Sequence, residues 1–64
     1  MLFKDKVLYV RATLNLTQTE LAEKLNVSFT TVSRWENGKV EPTRKARFVF
    51  DRFCKKNSIT FEEE

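Results

Sequence analysis

The chain has no histidine, and only one cysteine, one glycine and one proline among its 64 residues. A single cysteine cannot close an internal disulfide, and without histidine there are too few soft ligands for a structural zinc site. The same scarcity leaves no usual acid–base or nucleophilic pair, no glycine-rich phosphate loop and no paired cysteines. No catalytic residues, no metal and no cofactor are therefore expected. No apolar run approaches the roughly 20 residues that a bilayer span requires. Residues 1–5 also lack the basic stretch and apolar core of a secretory signal, so the expected compartment is the cytoplasm, with no membrane partner. What remains is a single small domain held together by packed apolar side chains.

The charge that is present is unevenly placed. Twelve Lys and Arg stand against nine Asp and Glu, a net +3, but three of the acids are the terminal Glu62, Glu63 and Glu64. Residues 1–61 read as the domain and carry twelve basic against six acidic groups, while 62–64 read as an acidic flexible tail. A basic body concentrates polyanions near its surface without selecting among them.

Apolar residues recur at helical spacing and breakers fall between the periodic stretches, so four helices are expected. The first spans about Lys4 to Leu14, with Val7, Leu8, Arg11 and Leu14 on one face. Thr17 followed by Glu20 is a capping box that starts the second, and Leu16 with Leu21 forms its hydrophobic staple. Leu21, Ala22 and Leu25 supply the buried stripe, and Asn26 tolerates the left-handed turn that stops the helix. The same grammar repeats at once: Val27 and Val32 as staple, Ser28 as cap, Val32 and Trp35 inward, Asn37-Gly38 as terminator. Two short helices joined by so short a turn make a helix-turn-helix. The last helix starts at Pro42-Thr43, capped by Thr43 or by the residue before the proline, and runs to about Lys56 or Asn57. Ala46, Val49, Phe50 and Phe53 face inward, with Cys54 a small core residue at the edge. Phe48 projects between Arg44 and Arg52 on the opposite side. It is expected to pack under the C-terminal segment, with a self-association patch as the alternative. Ser58 to Phe61 are expected to fold back over the core through Ile59 and Phe61.

The run from Leu16-Thr17-Gln18 through Leu25, continuing over Val27-Ser28 to Val32-Ser33-Arg34-Trp35-Glu36-Asn37-Gly38-Lys39 and Pro42, closely resembles the lambda-repressor-like, Cro-type helix-turn-helix domains of bacterial and phage regulators, the XRE family. The diagnostic part covers about residues 11 to 43. Asn26 stands where the family usually has Gly, and Phe29 occupies a position more often polar. A fifth helix, which in many relatives helps build the dimer, is not evident. The fold implied is all-α, a compact four- to five-helix lambda-repressor-like domain. The resemblance also implies that Gln18 contacts phosphate and that residues matching Arg11 and Glu36 pair.

The residues point the same way without the family. Because Val32 and Trp35 go to the core, Phe29, Thr30, Ser33, Arg34 and Asn37 must lie largely outside. A helix fits the major groove, where Arg bonds bidentately to guanine and Thr or Phe touches a thymine methyl. Phe29, Thr30, Ser33 and Arg34 are therefore the candidate base contacts. Phosphate contacts are expected from Thr17 and Gln18 at the positive end of the second helix, and from Asn37, Lys39 and Arg44. Lys45 and Arg47 read equally well as exposed charge. Arg11 and Glu36 each interrupt an inward-packing stretch, and a charge near the core needs an opposite partner; the pairing of matching residues that the resemblance implies then makes them a partly buried structural ion pair. Taken with the resemblance, the expected function is sequence-specific binding of double-stranded DNA by a transcriptional regulator, a repressor, acting as a homodimer on a palindromic operator. The rival is an antitoxin-like module with a protein partner that also binds its own promoter, favoured by an apolar patch around Phe48 and Phe61.

Overall fold

The computed structural model describes residues 1–61, and the tail assigned to 62–64 lies outside the described residues. Among the described residues the chain forms four helices and no strand: α1 (Phe3–Leu14), α2 (Gln18–Leu25), α3 (Phe29–Glu36) and α4 (Arg44–Lys56). No helix among them is long and apolar enough to cross a membrane.

Local chemistry starts three of the four helices. Thr17 Oγ1 accepts the Glu20 N–H at 3.0 Å while Glu20 Oε1 accepts the Thr17 N–H at 2.8 Å, closing the capping box of α2. Ser28 caps α3 by accepting the Thr31 N–H at 3.1 Å, and Thr43 caps α4 by accepting the Ala46 N–H at 3.1 Å. Helix α1 has no side-chain cap at Leu2.

All four C-termini end in one way. The backbone turns left-handed at Asn15 (φ 57°), Asn26 (58°), Gly38 (72°) and Ser58 (61°). At Asn26 the Val27 N–H reaches back to the Ala22 carbonyl at 3.0 Å and the Asn26 N–H to Glu23 at 3.2 Å, the Schellman pattern. Equivalent wraps join Leu16 to Arg11 at 2.9 Å, Lys39 to Arg34 at 3.0 Å and Ile59 to Cys54 at 2.8 Å. The wrap swings the next side chain toward the core, which half-buries Leu16 and Val27 and buries Ile59. Leu14-Asn15-Leu16-Thr17 and Leu25-Asn26-Val27-Ser28 are thus chemical copies of one connector: aliphatic, left-handed Asn, aliphatic, hydroxyl cap.

The core gathers Phe3, Val7 and Val10 of α1, Leu21, Ala22 and Leu25 of α2, Val32 and Trp35 of α3, Phe50 and Cys54 of α4, and Ile59. Phe3 stands edge-on to Trp35 at 5.2 Å and to Phe50 at 5.0 Å, joining α1, α3 and α4 through one ring.

Two expectations from periodicity are corrected. Leu8 is 43% exposed, and the inner stripe of α1 is Phe3, Val7 and Val10 with half-buried Leu14. The run Val7-Leu8-Tyr9-Val10 is apolar on every side, so its orientation is set from a distance, by Phe3 wedged between Trp35 and Phe50. Among the described residues, Ser58 to Phe61 do not cover Phe48; it is 60% exposed, with the Arg52 guanidinium 5.7 Å from its ring. The left-handed turn at Ser58 sends the chain toward α1 instead, where Phe61 meets Tyr9 at 5.8 Å and lies 5.0 Å from the Lys6 ammonium.

Candidate nucleic-acid interface

Helix α3 is divided lengthwise by the burial of Val32 and Trp35. Phe29, Thr30 and Arg34 are exposed on its other side, whereas Ser33 is half-buried at the margin. Thr31 is half-buried too, its hydroxyl 2.9 Å from that of the Ser28 cap. The chain leaves α3 through exposed Asn37 and Lys39, and Arg44 opens α4, also exposed.

The start of α2 lies beside the start of α3: Thr17, Gln18, Thr19 and Phe29 line one cleft with Arg11 and Leu16. Thr17 and Glu20 use each other's backbone N–H groups in the capping box. The Gln18 and Thr19 N–H groups have no intrahelical acceptor and sit at the positive end of the helix dipole. Gln18 is half-buried, and its side chain is already engaged: Nε2 donates to Glu36 Oε1 at 2.7 Å.

Glu36, the last residue of α3, collects the polar bonds of this corner. Arg11 grips it bidentately, Nε to Oε2 at 2.6 Å and Nη2 to Oε1 at 3.0 Å, and Arg11 Nη1 donates to the Leu16 carbonyl at 3.1 Å. The Glu36 side chain is 7% exposed and that of Arg11 24%. Donating to the Glu36 carboxylate raises the Arg11 pKa above its already high value, against a lowering by partial burial and with a smaller coulombic contribution from the same carboxylate. A guanidinium does not deprotonate in proteins, so Arg11 presents a permanent positive charge to this corner. The Gln18 arm of this network had no signal in the sequence, because an amide on a half-exposed first turn is compatible with many partners.

Other charges are spent locally. Arg47 lies 3.7 Å from Glu41, both exposed, with its guanidinium 5.3 Å from the Phe3 ring. Burial, followed by the charge of Asp51, pushes the Cys54 thiol up to about 11 despite an opposing pull from Lys6. Among the described residues no group of three or more His, Cys, Asp or Glu is placed to hold a metal ion.

The arrangement is a short helix fixed on one side by the core and at its end by an ion pair. Its free side offers a guanidinium, a hydroxyl and an apolar ring. A helix-turn-helix family model matches residues 7–46. The chain is 40% identical over 63 residues to the HTH-type transcriptional activator BcrR of Enterococcus faecalis, which covers 98% of this chain and 29% of that protein. It is 46% identical over 50 residues to an uncharacterized HTH-type transcriptional regulator, MJ0272, of Methanocaldococcus jannaschii, covering 78% of this chain and 76% of that one. With the HTH-type transcriptional regulator DicA of Escherichia coli it shares 37% over 62 residues, 94% of this chain and 46% of the relative. This chain thus spans less than half the length of BcrR and DicA. No solved structure matches it significantly. The matched segment runs from within α1 to the first turn of α4 and encloses the whole α2–α3 unit, and the chain belongs to the XRE-type helix-turn-helix family of DNA-binding transcriptional regulators.

Proposed function

We propose that this chain binds a specific double-stranded operator with α3 in the major groove, and that it acts in the cytoplasm as a repressor by occupying that site. The observation that carries the reading is the exposure of Phe29, Thr30 and Arg34 on a helix whose opposite side is locked by Val32 and Trp35. A helix of about 10–12 Å diameter fits a groove about 12 Å wide, and the free side then meets base edges. Arg34 suits guanine and Thr30 suits a hydroxyl or methyl contact, with half-buried Ser33 reaching the groove margin. Phosphates on one strand fall to Thr17 and to the Gln18 and Thr19 N–H groups, while the Gln18 amide stays on Glu36. Asn37, Lys39 and Arg44 take the other strand. The Arg11–Glu36 pair holds the end of α3 in register and neutralises a carboxylate that would otherwise repel DNA.

One reading head of this size covers about 600–1,000 Å² of protein surface, so useful affinity calls for two copies on a palindromic operator with half-sites about 34 Å apart. BcrR is named an activator, so a reporter driven from the selected operator decides the sign of regulation, with a fall in expression expected when this chain is present. A second reading, an antitoxin-like module with a protein partner, draws on the exposed ring of Phe48. Phe61 is no part of such a patch, because it is half-buried against Tyr9.

Selection of bound sequences from a random duplex pool tests the proposal. A symmetric consensus, with affinity that falls steeply as salt rises, is expected; salt-independent binding would contradict phosphate capture.

A further inference from the structure

The first residue of α3 presents a large apolar ring in a cleft whose other lining residues, Leu16 apart, are polar. Phe29 follows the Ser28 cap directly, is 51% exposed and stands outside the buried cluster. It lines the cleft with Thr17, Gln18 and Thr19, on the side where α2 and α3 both begin. Leaving a phenyl ring half in water has no benefit for the core, which is already closed by Phe3, Trp35 and Phe50.

A phenyl ring neither donates nor accepts a conventional hydrogen bond, so against base edges it discriminates by shape and apolar surface alone. The one apolar group displayed in the major groove is the C5-methyl of a pyrimidine. Thymine carries it, and so does 5-methylcytosine, whereas cytosine and uracil present a bare C5–H. We infer that Phe29 makes α3 a reader of 5-methylpyrimidine. The preferred half-site carries thymine opposite Phe29, and at that step 5-methylcytosine is bound more tightly than cytosine. Occupancy of a site with cytosine there then rises when the cytosine is methylated at C5, which ties binding to the methylation state of the DNA. The inference rests on α3 lying in the major groove and adds to it the class of ligand group that its first residue selects.

The test uses the full chain and the duplex selected from the random pool. The position opposite Phe29 is located as the one whose preference disappears when selection is repeated with Phe29→Ala. Four duplexes are then made with thymine, uracil, cytosine or 5-methylcytosine at that position, and binding is followed by fluorescence anisotropy. Thymine over uracil and 5-methylcytosine over cytosine should each favour the methylated base about fourfold, the effect of burying about one methyl group. Both ratios should fall to about one in Phe29→Ala and persist in Arg34→Ala, the cycle that isolates the ring–methyl contact from general changes in duplex stiffness. An unchanged thermal melt shows that Phe29→Ala remains folded. Should it melt lower, Phe29→Gln, which keeps bulk and removes the apolar ring, takes its place. Specific binding with equal affinity for thymine and uracil, or a ratio that survives in Phe29→Ala, overturns the inference and leaves the major-groove reading standing. Failure to select any sequence overturns both.

Discussion

The corner where α1, α2 and α3 meet is held together differently from α4. At the corner, Glu36 takes two bonds from Arg11 and one from Gln18, and Arg11 reaches on to the Leu16 carbonyl. Helix α4 is held by buried Phe50 and Cys54 and by half-buried Ala46, Val49 and Phe53. Hydrogen bonds specify angles, whereas apolar burial is non-directional and rewards area. The helix proposed to be aimed into a groove is thus tied by directional bonds, and the helix that closes the core is tied by packing.

Breaking the packed half should cost most. Phe50→Ala empties a fully buried site and is expected to lose about 3–5 kcal/mol. That is comparable to all a core this small can supply, so the cooperative thermal transition should vanish. A melting temperature within a few degrees of the parent would show that α4 is dispensable.

The corner is sharpened by a pair of variants. Arg11→Met leaves an almost buried carboxylate on Gln18 alone; because Arg11 is itself a quarter exposed, about 2–3 kcal/mol is expected, below the usual range for a broken buried pair. Adding Glu36→Leu should recover much of that stability in urea titrations, since an apolar pair can replace a buried ionic one. DNA affinity should stay low in the double variant. If it returns in full, packing alone orients α3 and the contrast between the two regions fails.

Lys39 lies on the connector between the halves. Lys39→Ala should weaken binding to all sequences alike and lower the salt slope by about one, without altering the melt. Within α4, the Cys54 thiol has an ordinary pKa of 9.0 and is raised to about 11 in the fold. The native state therefore keeps its proton while the unfolded chain has lost it. Stability should fall as pH rises from 9 toward 11, by more in the parent than in Cys54→Ala. A thiol reagent at pH 8 should react only as the chain unfolds. The smallest effect is expected at the left-handed turn after α4. Ser58→Gly relieves a positive φ of 61° and should add about 0.5–1 kcal/mol in a urea titration.

The elements written in the sequence were those whose causes are local. Thr17 with Glu20, Ser28 with Thr31 and the Asn37-Gly38 stop each act within about one helical turn, so spacing reveals them. The Arg11–Glu36 contact was legible for a different reason: each charge on an inward face needs an opposite partner, and the resemblance to the helix-turn-helix family pointed to which one. What stayed hidden depends on distant parts of the chain. Leu8 and Val10 compete for the inside of an all-apolar stretch, and Phe3 decides between them from contacts with Trp35 and Phe50. The Gln18–Glu36 bond joins residues on different helices and has no spacing rule. The direction taken after Ser58 depends on a left-handed serine, which composition alone does not foretell.

The placement of the reading surface is tested most directly by backbone and side-chain NMR shifts during titration with the selected duplex. Perturbations concentrated at Phe29, Thr30 and Arg34, with Thr17, Gln18 and Thr19 beside them, are expected. Perturbations confined to the outer face of α4, around Phe48 and Arg52, would contradict it.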